Sequence, residues 1–329
     1  MPENHQLRVL ALIYPIERHV GHWACSSQLI QVRRVIMDGD DLTSVVAAQV
    51  REFQPDAIAI IGKRVGEYHD LLDRLSRDLP LVKQLPRIYR CQNTALAHRV
   101  AGRTADRDEL ARLDHWFAFA SDPRFSLILV QTLDDVPIIQ HALDPKRVVA
   151  CPYGYDPTIF HPDLPNRERT TDVGCYMTLR NDPRRIQLVK TAQRICDRRG
   201  WSFQFVTDKY WHDYADLIRA TKVCLHRSDQ GEVPYRIYET TCLGSVFLTD
   251  PLRYHIETLF ELGDEYLTYN PDLSNLESVL VSVLEDSARW QALSRKGRER
   301  ARYYSWPCIA DRYVAPALRE LLPSQRSYA

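Results

Sequence analysis

Short, strongly apolar segments alternate along the chain with longer segments whose apolar residues recur every three or four positions. Near-continuous apolar runs are typical of strands covered on both faces in a parallel sheet, and the longer period is typical of amphipathic helices. In the first half the predicted strands are Leu7–Tyr14, Ala57–Gly62, Arg87–Cys91, Leu127–Gln131 and Arg147–Pro152. In the second half they are Asp172–Tyr176, Ser202–Thr207, Val223–His226, Ser245–Thr249 and Glu265–Tyr269. This alternation predicts an α/β protein with two doubly wound parallel sheets.

A proline-rich segment separates the two halves. Cys151–Pro165 holds four prolines and one glycine, which cannot continue a helix or a central strand, so we expect an ordered interdomain connection there. The predicted domains are 1–155 and 156–305. A C-terminal helix, 306–329, follows them and could pack back on the first domain. Helical periodicity is clearest at Leu42–Phe53, Arg185–Arg199, Asn275–Leu284, Ala288–Tyr304 and Trp306–Leu322.

Composition restricts the environment and the partners. The chain has 329 residues with 43 Lys and Arg against 43 Asp and Glu, and a formal charge of zero argues against a surface built to neutralise many phosphates. The eight cysteines form no CxxC pair and lie mostly in apolar runs, which is typical of reduced, buried thiols. A signal-peptide pattern and an apolar run of roughly 20 residues are both lacking. We therefore expect a cytoplasmic protein without a transmembrane segment.

The segment Gly231–Asp250 has a clear local pattern. Pro234 suits the first turn of a helix, and Gly244 suits its end before the next buried strand. This short helix follows a loop at the carboxyl end of the predicted strand Val223–His226, so its N-terminal amides face the crevice where open α/β sheets bind ligands. The pattern predicts a diphosphate site at the helix start, with Glu239, one to two turns further on, within reach of a ribose hydroxyl pair.

Several blocks in this order resemble the second domain of retaining GT-B glycosyltransferases, most clearly the CgeB-like (spore-maturation-type) group related to retaining glycosyltransferase family 4. The helix Pro234–Glu239 is similar to that group's P-x-R-x-[FY]-E helix and is followed by an LTD strand. The resemblance covers about residues 148–315. Its other blocks are Pro152–Pro162, Thr171–Tyr176 with Arg184 or Arg185 after it, Leu259–Tyr269 and Arg298–Trp306.

The resemblance implies a GT-B fold, in which two Rossmann-like domains face a cleft, and transfer of a sugar from a nucleotide diphosphate to an acceptor hydroxyl. It further implies retention of the anomeric configuration, no metal ion and no permanently bound cofactor. The donor would be of the UDP, GDP or dTDP type. The acceptor stays open between a glycan, a lipid-linked molecule, a protein and a small molecule, and the zero net charge counts against nucleic acid.

The resemblance also assigns roles to individual residues. Glu239 would bind the ribose, and Arg236 would either contact the diphosphate or brace Glu239. Val233 and Tyr235 would offer backbone N–H groups to phosphate. The predicted catalytic residues are Arg184, Arg236 and His19, and the predicted nucleotide-sugar-binding residues are Arg180, Arg185, His226, Val233, Pro234, Tyr235, Glu239 and Thr240. The ordinary alternatives are solvated helix faces for the charged residues and a core position for His226. Tyr210, Trp211 and Tyr214 could stack on a base or belong to the core or its rim.

Two departures from the family pattern leave the acceptor and the donor sugar less defined. The loop after the first strand contains only Gly21, where relatives carry a glycine-rich loop near the acceptor. Candidates that could orient the acceptor or the sugar there are His19, His22, Asn93 and His98. The first position of the E-x7-E pair that ends at Glu239 is Gly231, with Glu232 beside it. Rival functions are a catalytically silent binding or assembly protein, a sugar-nucleotide epimerase and a DNA-base glycosyltransferase.

Overall fold

The computed structural model describes two compact units. One contains Met1–Pro152 together with Trp306–Ala329, and the other contains Tyr153–Ser305. The described residues are 6–13, 24–38, 41–61, 65–90, 122–142, 147–162, 168–179, 182–228, 231–253 and 255–322. Each unit has a parallel sheet combined with helices, which confirms the predicted α/β class with two doubly wound sheets.

The first unit contains a six-stranded parallel sheet of order β2-β1-β3-β4-β5-β6. Its strands are β1 (Leu7–Ile13), β2 (Ile30–Ile36), β3 (Ala57–Ile61), β4 (Arg87–Arg90), β5 (Leu127–Val130) and β6 (Arg147–Ala150). Its helices before the interdomain connection are α1 (Leu42–Phe53), α2 (Val65–Asp78), α3 (Pro80–Gln84) and α4 (Asp135–Ala142). All five strands predicted for this half are present, and β3 and β5 are continuous apolar sequences that are buried along their whole length.

The core of the first unit shows how the helical period produces packing. Helix α1 buries Val46, Val50 and Phe53, which share one face, while the Asp41 carboxylate caps its start by accepting the Ser44 N–H. The helix ends at Gln54, whose backbone is left-handed with φ 46°. The apolar face of α1 therefore packs into the cluster that covers the central strands.

Strand β2 is the one described strand that the apolar pattern did not predict. It pairs in parallel with β1, in a register that sets Leu7 opposite Ile30 and Ile13 opposite Ile36. As an edge strand it buries only part of its surface, and Arg33 and Arg34 interrupt its apolar positions. A strand with a single neighbour does not need the continuous apolar sequence on which the predictions depended.

The second unit contains a five-stranded parallel sheet of order β11-β10-β9-β7-β8. Its strands are β7 (Thr171–Cys175), β8 (Phe203–Phe205), β9 (Thr221–Leu225), β10 (Val246–Thr249) and β11 (Leu267–Thr268). Its helices are α5 (Pro183–Arg199), α6 (Trp211–Arg219), α7 (Tyr235–Cys242), α8 (Leu276–Leu284) and α9 (Ser287–Ala301), with 3₁₀ turns at Ile256–Thr258 and Arg302–Tyr304. Each strand matches one of the five predicted for this half.

Capping residues define the long helix α5 at both ends. Asp182 accepts the Arg184 N–H at the N-cap, and Pro183 occupies the first turn, where no N–H is required. Gly200 ends the helix in a left-handed conformation with φ 70°. Between these ends α5 buries Leu188 and Ile195 against the sheet.

The chain ends in helical structure that belongs to the first unit. This structure consists of α10 (Trp306–Ile309), a π-helical turn (Ala310–Val314) and α11 (Ala315–Leu321). The carboxylate of Asp311 accepts the N–H of Leu29 at 2.9 Å and a hydrogen bond from the Ser27 hydroxyl, so it fixes the turn that leads into β2. Across the described part of the chain, no helix is both long enough and apolar enough to cross a membrane.

Both sheets follow the same order, because β8-β7-β9-β10-β11 repeats β2-β1-β3-β4-β5. In each, the strand order reverses between the first and third strands, and open α/β sheets bind ligands at the carboxyl ends of the strands beside such a reversal. In the first unit the residues that follow β1 and β3 lie outside the described ranges. In the second unit the residues that directly follow β7 and β9 are described, and the candidate site lies among them.

Candidate functional site

Helix α7 begins beside the strand reversal of the second sheet. Pro234 precedes it in extended backbone (φ −82°, ψ 158°), and no side chain caps the helix start. The helix ends at Cys242, and Gly244 with φ 74° leads into β10. A side chain at Gly244 would collide with the guanidinium of Arg298, which explains the glycine at this position. The predicted helix between Pro234 and Gly244 is therefore confirmed, and the positive end of its dipole lies at Pro234, whose side chain cannot accept a hydrogen bond.

Two arginines are held by the loop that follows β7. Arg236, in the first turn of α7, donates from Nε to the Tyr176 carbonyl at 2.8 Å. Arg185, in the first turn of α5, is buried and donates from Nη1 to the Thr178 carbonyl at 2.9 Å. The two guanidinium groups therefore lie at the reversal between β7 and β9, and Nε of Arg185 also lies 4.0 Å from the carboxylate of Asp182. Such a pair of cations is suited to binding an anion.

Glu239 is half-buried on the same helix. Burial of its carboxyl raises the pKa to about 7, although the Arg236 charge and a hydrogen bond with the Tyr214 hydroxyl favour the ionised form. The guanidinium carbon of Arg236 lies 6.0 Å from the centre of the Tyr214 ring. Glu239, Arg236 and Tyr214 thus form one polar group in which the carboxyl is easily protonated, and any ligand group that donates hydrogen bonds to it would favour its charged form.

His226 directly follows β9 and is buried. Its backbone is fixed, because its N–H donates to the Leu248 carbonyl at 2.9 Å and its carbonyl accepts the Tyr269 hydroxyl at 2.7 Å. Its imidazole stacks on Phe247, and neither ring nitrogen has a hydrogen-bond partner among the described residues. Burial and the positive charges of Arg236 and Arg185 hold the pKa of His226 well below its usual value. The imidazole is therefore neutral, with hydrogen-bonding capacity that the described protein leaves unused.

Comparison with known proteins connects this geometry to one fold. Residues 182–314 match a protein family described as glycosyl transferase-like. No curated protein is significantly similar in sequence. Three similar solved structures are Alr3699/HepE of Anabaena in complex with UDP-glucose, a sucrose-phosphate synthase of Thermosynechococcus elongatus and a glycosyltransferase of Rickettsia africae. The chain has the GT-B fold.

The structural similarity extends over nearly the whole chain, whereas the sequence similarity is low. HepE is 12% identical with a TM-score of 0.56, and the alignment covers 97% of this chain and 100% of HepE. The synthase is 15% identical with a TM-score of 0.57, and the alignment covers 95% of this chain and 99% of the synthase. The Rickettsia glycosyltransferase is 9% identical with a TM-score of 0.59, and the alignment covers 97% of this chain and 100% of that protein. The predicted GT-B fold is thus confirmed, and membership of the CgeB-like group stays a prediction.

The other residues predicted to bind donor in the GT-B second domain have varied surroundings. Arg184 is exposed and pairs with Asp182, the cap of α5, at 2.9 Å. Val233 is buried, and Tyr235 stacks on Tyr153 with ring centres 3.6 Å apart. Thr240 is buried in the second turn of α7. Arg180 and His19 lie outside the described residues, as do Gly21, His22, Asn93 and His98.

The three aromatic residues near α6 separate into two kinds. Tyr210 and Trp211 are exposed at the helix start, where Trp211 has a left-handed backbone with φ 59°. Tyr214 is buried, and its ring packs edge-on against Phe160 and Tyr176. Tyr214 therefore occupies the core position that the sequence left open, with its hydroxyl directed to the polar group of α7.

Gly231 explains the departure from the E-x7-E pattern. Its backbone has φ 85°, which residues with side chains rarely adopt, and a Cβ there would lie 3.0 Å from Cγ of Arg253. A glutamate would therefore be strained at this position. Glu232, the neighbouring acidic residue, is half-buried.

In the described ranges, no group of three or more His, Cys, Asp or Glu residues has the arrangement of a metal site. Of the predicted turn 38–41, residues 39–40 fall outside those ranges, and Asp41 caps α1. The described cysteines are free thiols, and Cys151, Cys175, Cys196, Cys224 and Cys242 are buried. Burial raises the pKa of Cys175 and of Cys224 to about 12, so these thiols are protonated and suited to packing only.

Proposed function

We propose that the chain is a glycosyltransferase that moves a sugar from a nucleotide diphosphate to an acceptor hydroxyl, and that its second unit binds the donor. The observation that carries the proposal is the buried His226 imidazole, which lacks hydrogen-bond partners in the described protein and lies near Arg185 and Arg236 at the strand reversal. A buried polar group without partners is costly, and a bound ligand would satisfy it. A GT-B structure of similar topology, HepE, is known in complex with UDP and with UDP-glucose.

In this proposal the diphosphate lies at the start of α7. The first-turn N–H groups that follow Val233 and Pro234 would donate to its oxygens, and Tyr235 would contribute through its backbone. Arg236 and Arg185 are anchored by carbonyls, and their positive charges would attract the phosphates. Glu239 would accept the ribose hydroxyls in its ionised form.

The chemical step would follow from charge placement. As the bond between the sugar and the diphosphate breaks, negative charge accumulates on the phosphate, and fixed donors at α7 stabilise it more than they stabilise the substrate. The neutral His226 imidazole can donate a hydrogen bond to phosphate without losing its proton. We propose transfer with retention and without a metal, in which the leaving phosphate accepts the proton of the acceptor hydroxyl. Arg184 and Arg180 would add positive charge, and His19 would orient the acceptor.

A thermal-shift panel with UDP, GDP and dTDP tests the donor site. At a nucleotide concentration about 100 times the dissociation constant, the matching nucleotide should raise the melting temperature by about 5 to 10 °C. Arg236→Met should abolish this shift. Arg194→Met is the matched control, because Arg194 is exposed on α5 and bonds only to its own helix.

The panel also separates the rival functions. Absence of any shift in the unmodified protein would contradict the proposal and favour a binding or assembly protein. With the best nucleotide identified, transfer of its sugar to an added acceptor supports the proposal, and conversion of the donor sugar without an acceptor favours an epimerase. Salt-dependent binding to duplex DNA would favour a nucleic-acid acceptor.

A further inference from the structure

One carboxylate organises the loop between β9 and α7. Asp250 directly follows β10 and is half-buried. Its Oδ1 accepts the N–H of Ser228 at 2.7 Å, and its Oδ2 accepts the Ser228 hydroxyl at 3.0 Å. The Thr249 hydroxyl also donates to Oδ1, at 3.1 Å. The carboxylate therefore accepts three hydrogen bonds from the protein, two of them from Ser228, and its role is to fix the position of Ser228.

The hydrogen bonds continue from Ser228 towards the start of α7. The Ser228 hydroxyl oxygen accepts the N–H of Gly231 at 3.0 Å, and the Gly231 carbonyl accepts the N–H of Arg253 at 2.8 Å. Gly231 adopts its left-handed conformation at this point, four residues before α7 begins at Tyr235. The direction in which the chain enters α7 thus depends on the bonds between Asp250, Ser228 and Gly231.

The residues before Ser228 are held by contacts of their own. Arg227, adjacent to it, is buried and donates from Nη1 to the Pro271 carbonyl at 2.9 Å. His226, one residue earlier, is the buried imidazole without partners in the described chain. Ser228 therefore lies between the buried His226 and the segment that leads into α7, and Asp250 accepts hydrogen bonds from both its N–H and its hydroxyl.

We propose that Asp250 is a positioning residue for the donor diphosphate, acting through Ser228 and Gly231. This inference rests on the proposed function, because it assigns the loop a diphosphate to hold. Removal of the carboxylate leaves the Ser228 N–H and hydroxyl without these acceptors, which loosens the loop at Gly231 and misaligns the α7 amides. Binding of the diphosphate then requires the loop to be ordered again, and the affinity decreases.

The same unit offers a matched control for the test. Asp172 is also half-buried, and its Oδ2 accepts both the N–H and the hydroxyl of Ser202, each at 2.9 Å. This pair lies at the amino ends of β7 and β8, away from the strand ends that carry the candidate site. Asp172→Ala therefore removes an equivalent pair of hydrogen bonds, together with an ion pair to Lys222, at a place that holds no donor.

The experiment compares Asp250→Ala, Ser228→Ala and Asp172→Ala for the affinity of the best binder among UDP, GDP and dTDP, and for amide hydrogen exchange across 224–242. Asp250→Ala and Ser228→Ala should weaken nucleotide binding by about tenfold or more and accelerate exchange in that segment. Asp172→Ala should leave affinity and that exchange unchanged, even where it lowers the melting temperature. Asp250→Asn, which keeps one acceptor for the Ser228 N–H, should restore part of the affinity.

Two results would overturn the inference while leaving the proposed function intact. One is unchanged nucleotide affinity in both Asp250→Ala and Ser228→Ala, measured against an unmodified protein that binds. The other is an equal loss of affinity in Asp172→Ala, which would show a general effect of stability. Failure of the unmodified protein to bind any of the three nucleotides would instead refute the proposed function, and the positioning role with it. Ser228→Ala decides the matter if Asp250→Ala does not fold.

Discussion

The half-buried carboxyl of Glu239 should give donor binding a measurable pH dependence. Burial raises its pKa to about 7, so about half of the empty protein carries a protonated Glu239 at neutral pH. Ribose hydroxyls that donate to the carboxylate favour its ionised form. Donor binding must therefore displace this proton, and the affinity for donor should rise as the pH increases.

The magnitude follows from the pKa. For a group with a pKa of about 7, the ionised fraction increases from about one tenth at pH 6 to about nine tenths at pH 8. If only the ionised form binds ribose, the dissociation constant of the donor should decrease about tenfold over this range, which corresponds to about 1.4 kcal/mol. His226 adds nothing to this dependence, because its pKa lies well below its usual value and it stays neutral throughout.

Calorimetric titration with UDP-glucose is a suitable assay if UDP is the nucleotide that binds. Its diphosphate is esterified at both ends, whereas the terminal phosphate of UDP loses a proton near pH 6, as other phosphate monoesters do, and would add its own pH dependence. Glu239→Gln keeps the size of the side chain and removes the ionisable group. This variant should bind with the same affinity at pH 6 and pH 8, and at pH 8 its binding should be weaker than that of the unmodified protein by about tenfold or more.

Two results would refute this reasoning. A dissociation constant of the unmodified protein that is the same at pH 6 and pH 8 would show that the ribose does not depend on ionised Glu239. A tenfold pH dependence that persists in Glu239→Gln would assign the titration to another group. Either result would remove Glu239 from the donor site, whereas loss of all binding in Glu239→Gln at pH 8 would strengthen its role.

Two further predictions concern stability. Arg169 donates to the carbonyls of Ile218, Thr221 and Leu243, so Arg169→Met removes three hydrogen bonds from a charged donor. The free energy of unfolding in urea titration should decrease by about 3 kcal/mol, and an unchanged midpoint would contradict this. Burial lowers the pKa of His69 to about 4, so the folded state favours the neutral ring and its stability should decrease as the pH falls from 6.5 towards 4. The difference in stability between the unmodified protein and His69→Gln should therefore shrink by up to about 3 kcal/mol over this range, and a constant difference would refute it.

The success of the strand predictions has a local physical cause. A strand such as β3 is buried along its whole length, so burial itself requires the continuous apolar sequence from which it was predicted. Helix α1 was predicted from its period, because one face packs against the core and the other meets water. Strand β2 is neither buried along its whole length nor part of an amphipathic helix, so its sequence carries neither pattern and did not predict it.

The site was predictable only where chemistry follows local sequence. The helix from Pro234 and the position of Glu239 follow from residues within one turn of each other, and the structure describes them as one element. The anchoring of Arg236 to the Tyr176 carbonyl joins residues 60 positions apart, and that of Ser228 to Asp250 joins residues 22 positions apart. A carbonyl acceptor has no residue identity, so a hydrogen bond to it leaves no sequence signal.

Position 231, where the E-x7-E motif has a glutamate and this chain has glycine, shows how hydrogen bonds between distant residues change the interpretation of a sequence motif. From the sequence, glycine in place of the first glutamate of E-x7-E is a departure from the wider family pattern that the resemblance attributes to the CgeB-like lineage. In the structure, Gly231 both donates to the Ser228 hydroxyl and accepts from Arg253, in a backbone conformation that favours glycine. The loop is thus built around glycine, and introducing glutamate would disturb the bonds from Asp250 that organise the start of α7. Under the proposed function, the donor sugar would be held by other groups, and Glu232 is the acidic residue next to this position.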